Sequence, residues 1–88
     1  MNKIEIYTKN YCAYCHRAKD LLRIKGVEFI EYDVTHDAAK RQEMVQRSHR
    51  ETVPEIFIAD RLIGGCDELF NLDEQGELDH LLGTATGG

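Results

Sequence analysis

The chain has 88 residues, three cysteines, and 11 Lys and Arg against 16 Asp and Glu for a net charge of -5. That length makes one small domain with a modest core. The acidic balance argues against a general binder of nucleic acid or anionic membranes, and the low, odd cysteine count excludes a disulfide scaffold and suits a reducing compartment.

The segment "KIEIYT" alternates Ile4 and Ile6 with Glu5 and Tyr7, the period of a strand. From Ala13 the period changes: Tyr14, Ala18, Leu21 and Leu22 fall at helical spacing, and Gly26 supplies the stop. "VEFIEYDV" predicts a second strand, parallel to the first because a crossover helix joins them. Asp37 is placed to cap a more polar helix reaching about Ser48, in which Met44 and Val45 are the bulky apolar residues. Pro54, the only proline, opens the short strand "EIFIAD", and "ADR" then turns the chain into "LIGG" to form an antiparallel hairpin. Asp67 is expected to cap "ELFNLDEQ", and Leu78, Leu81 and Leu82 offer one more helical turn. The tail "GTATGG", residues 83–88, has nothing to bury and is expected to be flexible. The order β-α-β-α-β-β-α over residues 1–82 predicts an α/β fold with a four-stranded mixed sheet flanked by helices. Neither a run of about 18 apolar residues nor a signal-peptide pattern occurs, so a soluble, cytoplasmic protein is expected, with no membrane or nucleic-acid partner.

Two cysteines thus sit where a strand ends and a helix begins. Cys12-Ala13-Tyr14-Cys15-His16 fits two incompatible chemistries, a thiol–disulfide redox pair and the attachment site of a c-type haem. The haem reading requires an apolar pocket and usually a second axial ligand. Met44, His36, His49 and His80 all lie in polar stretches, which leaves His16 as a solvent-facing helix residue. A zinc site could be assembled on paper from Cys12, Cys15 and His16 with Cys66 or His49, but there is no second closely spaced pair. The redox reading suits the placement better. A helix N-terminus offers unpaired N–H groups and aligned peptide dipoles that favour negative charge on Cys12, and Lys9 adds to them. Cys15, one turn further in, faces the same side and can close a disulfide. Cys12 is accordingly expected to be the nucleophile and Cys15 the more buried resolving thiol.

At three places in the right order, "IEIYTKNYCAYCHRAKDLL", "TVPEIFI" and "IGGCDEL", the sequence resembles the glutaredoxins, in particular the small bacterial dithiol glutaredoxins of the glutaredoxin 3 type. The resemblance implies a thioredoxin fold, glutathione as co-substrate and electron donor, and reduction of protein disulfides and glutathione mixed disulfides. It also implies a glutathione groove. Thr52-Val53-Pro54 would carry a cis peptide before the proline and offer the Val53 backbone to the cysteinyl part of the tripeptide. Gly65 would allow close approach, the N–H groups of Cys66 and Asp67 would seat the γ-glutamyl carboxylate, and the Asp67 carboxylate would pair with its ammonium. Lys9 and Arg41 match positions that meet the glycine carboxylate, and Tyr14 matches an aromatic lying over the ligand. Cys66 matches a cysteine found in many members and not required for the reaction in the family, and it is expected to be open to slow glutathionylation.

Two positions depart from the family pattern. Ala13 replaces the proline of the common Cys-Pro-Tyr-Cys, which frees the local backbone and restores an N–H near Cys12. Glu51 stands where a basic residue commonly precedes the "TVP" motif, lowering the positive potential near the groove. The expected activity is therefore that of a monomeric glutathione-disulfide oxidoreductase with no obligatory metal. The alternative is a glutathione-assisted [2Fe-2S] protein, in which Cys12 is the chain's ligand to the cluster.

Overall fold

A computed structural model describes residues 2–83, so the expected flexible tail, Gly83 apart, lies outside the described residues. The elements are β1 (Ile4–Thr8), α1 (Ala13–Ile24), β2 (Ile30–Asp33), α2 (Ala38–Ser48), β3 (Glu55–Ile58), β4 (Arg61–Gly64), α3 (Cys66–Glu74) and α4 (Leu78–Leu82). One four-stranded sheet runs in the order β2-β1-β3-β4. β1 is parallel to β2 and antiparallel to β3, and β4 returns antiparallel to β3. The mixed sheet matches the expectation, and the additional turn at Leu78 stands as its own short helix.

The alternation in β1 has a meaning that its pattern alone does not show. Ile4 and Ile6 join Ile56, Ile58, Leu22, Leu69 and Leu82 in the larger core, whereas Tyr7 joins Val34, Met44 and Phe57 in a second one. All five β1 residues are buried, Glu5 with only 5% of its surface exposed. The period of two separates two cores because an inner strand is covered on both faces.

α2 contributes one buried apolar side chain, Met44, to the second core. Arg47 completes the docking. Its guanidinium lies 3.9 Å from the Phe57 ring centroid and donates to both Glu5 carboxylate oxygens at 3.1 Å and to the Tyr7 hydroxyl at 2.8 Å. Tyr7 donates in turn to Glu43, and Tyr32 donates to Glu5 at 2.8 Å. Burial by itself would raise the Glu5 pKa, but the Arg47 and Tyr32 bonds outweigh it and hold the carboxyl below its usual range.

Of three local expectations, one holds in the structure and two are corrected by it. Asp37 does cap α2, accepting the Lys40 N–H at 3.0 Å. The second strand, however, is shorter than "VEFIEYDV": pairing begins at Ile30 opposite Glu5 and ends at Asp33, leaving Val27 and Val34 as buried residues outside it. Asp67 does not cap α3. That helix starts two residues earlier than such a cap would give, at Cys66, with extended Gly65 as its N-cap and no side-chain cap bond, so exposed Asp67 falls inside the first turn. Glu68 instead accepts the Gly65 N–H, the return half of a capping box. Ala59 and Asp60, at φ 51° and 65°, make the two-residue hairpin turn, both in the left-handed region that a type I′ turn requires.

Replacing Arg47 with alanine leaves the Glu5 carboxylate buried without its cationic partner, which costs about 3–5 kcal/mol. We expect Arg47→Ala to lower the urea-unfolding free energy by about that amount at neutral pH. Because the folded Glu5 pKa is depressed, the partner's contribution is present above the ordinary carboxyl pKa and is lost as pH falls through the depressed one. The gap between variant and parent should therefore narrow in acid.

Candidate functional site

The site forms where β1 hands over to α1. Cys12 has extended, non-helical backbone (φ -96°, ψ 113°) and occupies the N-cap of α1, where its Sγ accepts the Cys15 N–H at 3.2 Å. Sulfur here takes the place of the oxygen that Ser or Asp would offer. Cys15 is the opposite kind of thiol, with 0% of its surface exposed. Burial pushes it up to about 12, the adjoining Cys12 sulfur adds to that, and a backbone hydrogen bond from Lys9 works against it. The two sulfurs thus differ as expected: one half-exposed at a helix end, the other enclosed.

β3 brings the second part. Its antiparallel register ends at the pair Tyr7 and Glu55, so the residues after Tyr7 run beside those before Glu55. The Cys12 thiol consequently lies 3.7 Å from the Val53 carbonyl, to which it can donate. The Val53–Pro54 peptide is cis, as the resemblance implied.

A groove of about 350 Å³ opens next to this contact, and Tyr14, Thr52, Val53, Pro54, Gly65, Cys66 and Asp67 all line it. Tyr14 is 57% exposed, so its place at helical spacing does not make it a core residue; it stands as a wall of the groove. The N–H groups of residues 66 and 67 belong to the first turn of α3 and have no carbonyl within the helix to bond. Gly65 adjoins the cis proline: a Cβ there would stand 3.4 Å from the Pro54 carbonyl oxygen, an ordinary van der Waals contact, so the close approach expected of this glycine is not what the backbone requires. Thr52 already uses its hydroxyl, donating to Glu55 at 3.0 Å.

Lys9 and Arg41 do not line the groove. Lys9 is half-buried beside the cysteine loop, and Arg41 is paired with Glu51 at 3.3 Å. Glu51 thus acts on the local potential by engaging a cation. Cys66 is also less open than expected, being 5% exposed with its thiol pushed up mainly by burial, which makes it a poor target for glutathionylation. His16 is exposed on α1.

Three lining residues escaped the sequence reading: Arg50, Glu55 and Glu68. The available signal was a carboxylate inside the apolar run "VPEIFI". Among the described residues no three His, Cys, Asp or Glu side chains gather as a metal site. For a [2Fe-2S] centre the chain offers one accessible cysteine sulfur, Cys12, so such a cluster would draw its other sulfurs from outside the chain.

The family model described as glutaredoxin matches residues 4–63. Glutaredoxin 3 of Escherichia coli strain K12 is 58% identical over 82 residues, covering 93% of this chain and 99% of its own. A probable glutaredoxin of Synechocystis is 54% identical over 83 residues, covering 93% of this chain and 76% of its own. Among solved structures, the buckwheat glutaredoxin–glutathione complex superposes with a TM-score of 0.85 at 29% identity, over 93% of this chain and 77% of that one. Glutaredoxin from Brucella melitensis gives 0.83 at 48% identity, over 98% and 94%. Similar in sequence and in backbone over nearly all its length, the chain belongs to the glutaredoxin family and has the thioredoxin fold.

Proposed function

We propose that this thiol–disulfide oxidoreductase uses glutathione as its electron donor, with Cys12 as nucleophile and Cys15 as resolving thiol. The observation that carries the reading is the asymmetry of the pair: Cys12 is half-exposed, 3.7 Å from the carbonyl of groove-lining Val53 and with an N–H aimed at its sulfur, and Cys15 is enclosed. The groove supports a tripeptide ligand, since it joins the Val53 backbone, an exposed aromatic ring and the first-turn N–H groups of α3. A similar structure, that of buckwheat, is a complex with glutathione.

Cys12 thiolate attacks one sulfur of a disulfide or of a glutathionylated protein. A new S–S bond forms to Cys12, the old one breaks, and the second sulfur leaves as a thiolate that takes a proton. In the monothiol route Cys12 has taken the glutathionyl sulfur of a glutathionylated protein; a second glutathione thiolate attacks that sulfur, the Cys12–glutathione bond breaks, and Cys12 thiolate and oxidised glutathione are released. In the dithiol route, Cys15 loses its proton and attacks Cys12, expelling the bound thiol and leaving the Cys12–Cys15 disulfide, which two glutathione molecules then reduce. Once Cys12 is in a mixed disulfide it carries no charge, so of the influences that hold the Cys15 proton, burial persists and repulsion from Cys12 is removed. We place the protein as a monomer in a reducing, cytoplasmic compartment, where the glutathione pool can turn it over; no described helix is long and apolar enough to cross a membrane.

The reading is tested on a glutathionylated peptide with glutathione as donor. Because this reaction needs one enzyme sulfur, Cys15→Ser should retain turnover, and Cys12→Ser should fall to the uncatalysed rate. A Cys12→Ser protein that still turned over would overthrow the assignment. For the groove, loss of one charge-assisted contact at an exposed position is worth about 1 kcal/mol, or about fivefold. Asp67→Ala should raise the apparent KM for glutathione by about that factor, while Lys9→Ala, outside the lining, should have the smaller effect. Steady-state titration of glutathione decides between them.

A further inference from the structure

The reaction as described has no use for one of the groove's residues. Glu55, the first residue of β3, is wholly buried. Its Oε2 accepts from the Thr52 hydroxyl at 3.0 Å, but its Oε1 is enclosed and has no hydrogen-bond partner among the described residues. The nearest cation, Arg50, stands 4.0 Å from that oxygen and is committed elsewhere, donating to Glu68 at 2.7 Å. A carboxylate in this position is costly, since burial disfavours its charge and the compensating guanidinium is shared.

The groups around it leave the imbalance standing. Arg50 comes from the connection after α2, and Asp67 and Glu68 come from α3; all three line the groove with Glu55. On β1 the register partner is Tyr7, whose hydroxyl is taken up by Glu43 and Arg47 of α2. This end of the groove therefore sets three carboxyl groups against one guanidinium. An ionised carboxylate under a water-poor wall projects its field into the cleft instead of into solvent. Burial also pushes the Glu55 pKa up, so its charge depends on conditions under which exposed carboxylates are already ionised.

We propose that Glu55 sets the charge preference of this end of the groove: when ionised, it favours a thiol ligand that presents an ammonium there over one that lacks it. The effect acts across the groove through the electric field, because the enclosed oxygen is not available for contact. It rests on the reading of the groove as the glutathione site and adds to it a second determinant besides Asp67. By linkage, a bound ammonium also favours the ionised form of Glu55, so binding of such a ligand releases a proton wherever Glu55 is still partly neutral.

The test compares glutathione with glutaryl-cysteinylglycine, an analogue that keeps the thiol and both carboxylates but has hydrogen in place of the amino group. Each serves as reductant of a glutathionylated peptide, and the readout is the ratio of the two kcat/KM values. Taking the ratio within one enzyme sample cancels differences in folded fraction. In the parent protein the preference for glutathione should rise with pH above the range in which exposed carboxylates ionise, because burial raises the Glu55 pKa. Glu55→Gln should flatten that rise and cut the preference at the alkaline end by roughly threefold to tenfold, the size expected for one charge acting across several ångströms of a partly screened site. Asp67→Asn should lower the ratio while leaving its slope with pH. A parent ratio that does not change with pH, or a Glu55→Gln protein with the parent's slope, overturns the role of Glu55, and a lowered ratio in Asp67→Asn would then leave the glutathione groove standing. Failure of glutathione to act as a donor for the parent protein would bring down the underlying reading as well.

Discussion

The antiparallel pairing of β1 with β3 is the constraint on which the site depends. It brings the chain after Tyr7 alongside the chain before Glu55, so that residues 41 positions apart, Cys12 and Val53, meet at 3.7 Å. Each strand supplies something the other lacks. β1 ends in a loop that places a sulfur at the N-cap of α1, and β3 begins after a cis peptide whose backbone forms one side of the groove. The hairpin to β4 then delivers the opening turn of α3 to the opposite side. The groove is thus built from the ends of elements whose middles make the core.

The same framework makes two chemically similar residues unlike. Cys12 and Cys15 are separated by less than a turn of helix, yet one is half-exposed at the N-cap of α1 and the other lies on the helix's buried face. Position in a helix provides the N–H donor for the first; enclosure holds the proton on the second. Carboxylates are treated in the same way. Glu5 is nearly as buried as Glu55, but Arg47 and Tyr32 bond it directly and keep it ionised, whereas Glu55 shares a distant guanidinium with Glu68. One carboxylate therefore fastens a helix to the sheet. The other is left under-compensated beside the groove.

α2 illustrates how a polar helix can be held by few apolar contacts. Met44 enters the core, and Arg47 covers the Phe57 ring while its donors satisfy Glu5 and Tyr7. A guanidinium suits this role because its flat face packs on an aromatic ring and its edge still meets a carboxylate.

What could be read in advance followed from interactions within a few residues. The strand period of "KIEIYT", the helix beginning beside the cysteine pair, the cap at Asp37 and the stop at Gly26 are all local signals, and the structure repeats them. The three glutaredoxin motifs carried most of the groove for the same reason, since each is a short segment. Tertiary packing decided the rest. Glu5 and Arg47 meet across 42 positions, and Arg50 and Glu68 across 18, so no window on the sequence contains both partners. Asp67 is not the cap because the extended backbone at Gly65 starts α3 two residues sooner and lets Glu68 reach back. Tyr14 satisfies helical spacing with the core residues but points beside the groove. Burial of Glu55 depends on Thr52, α3 and the neighbouring strand closing around it at once. Spacing specifies which side chains share a face, but whether that face meets water, a core or a cleft is settled only by what the rest of the chain packs against it.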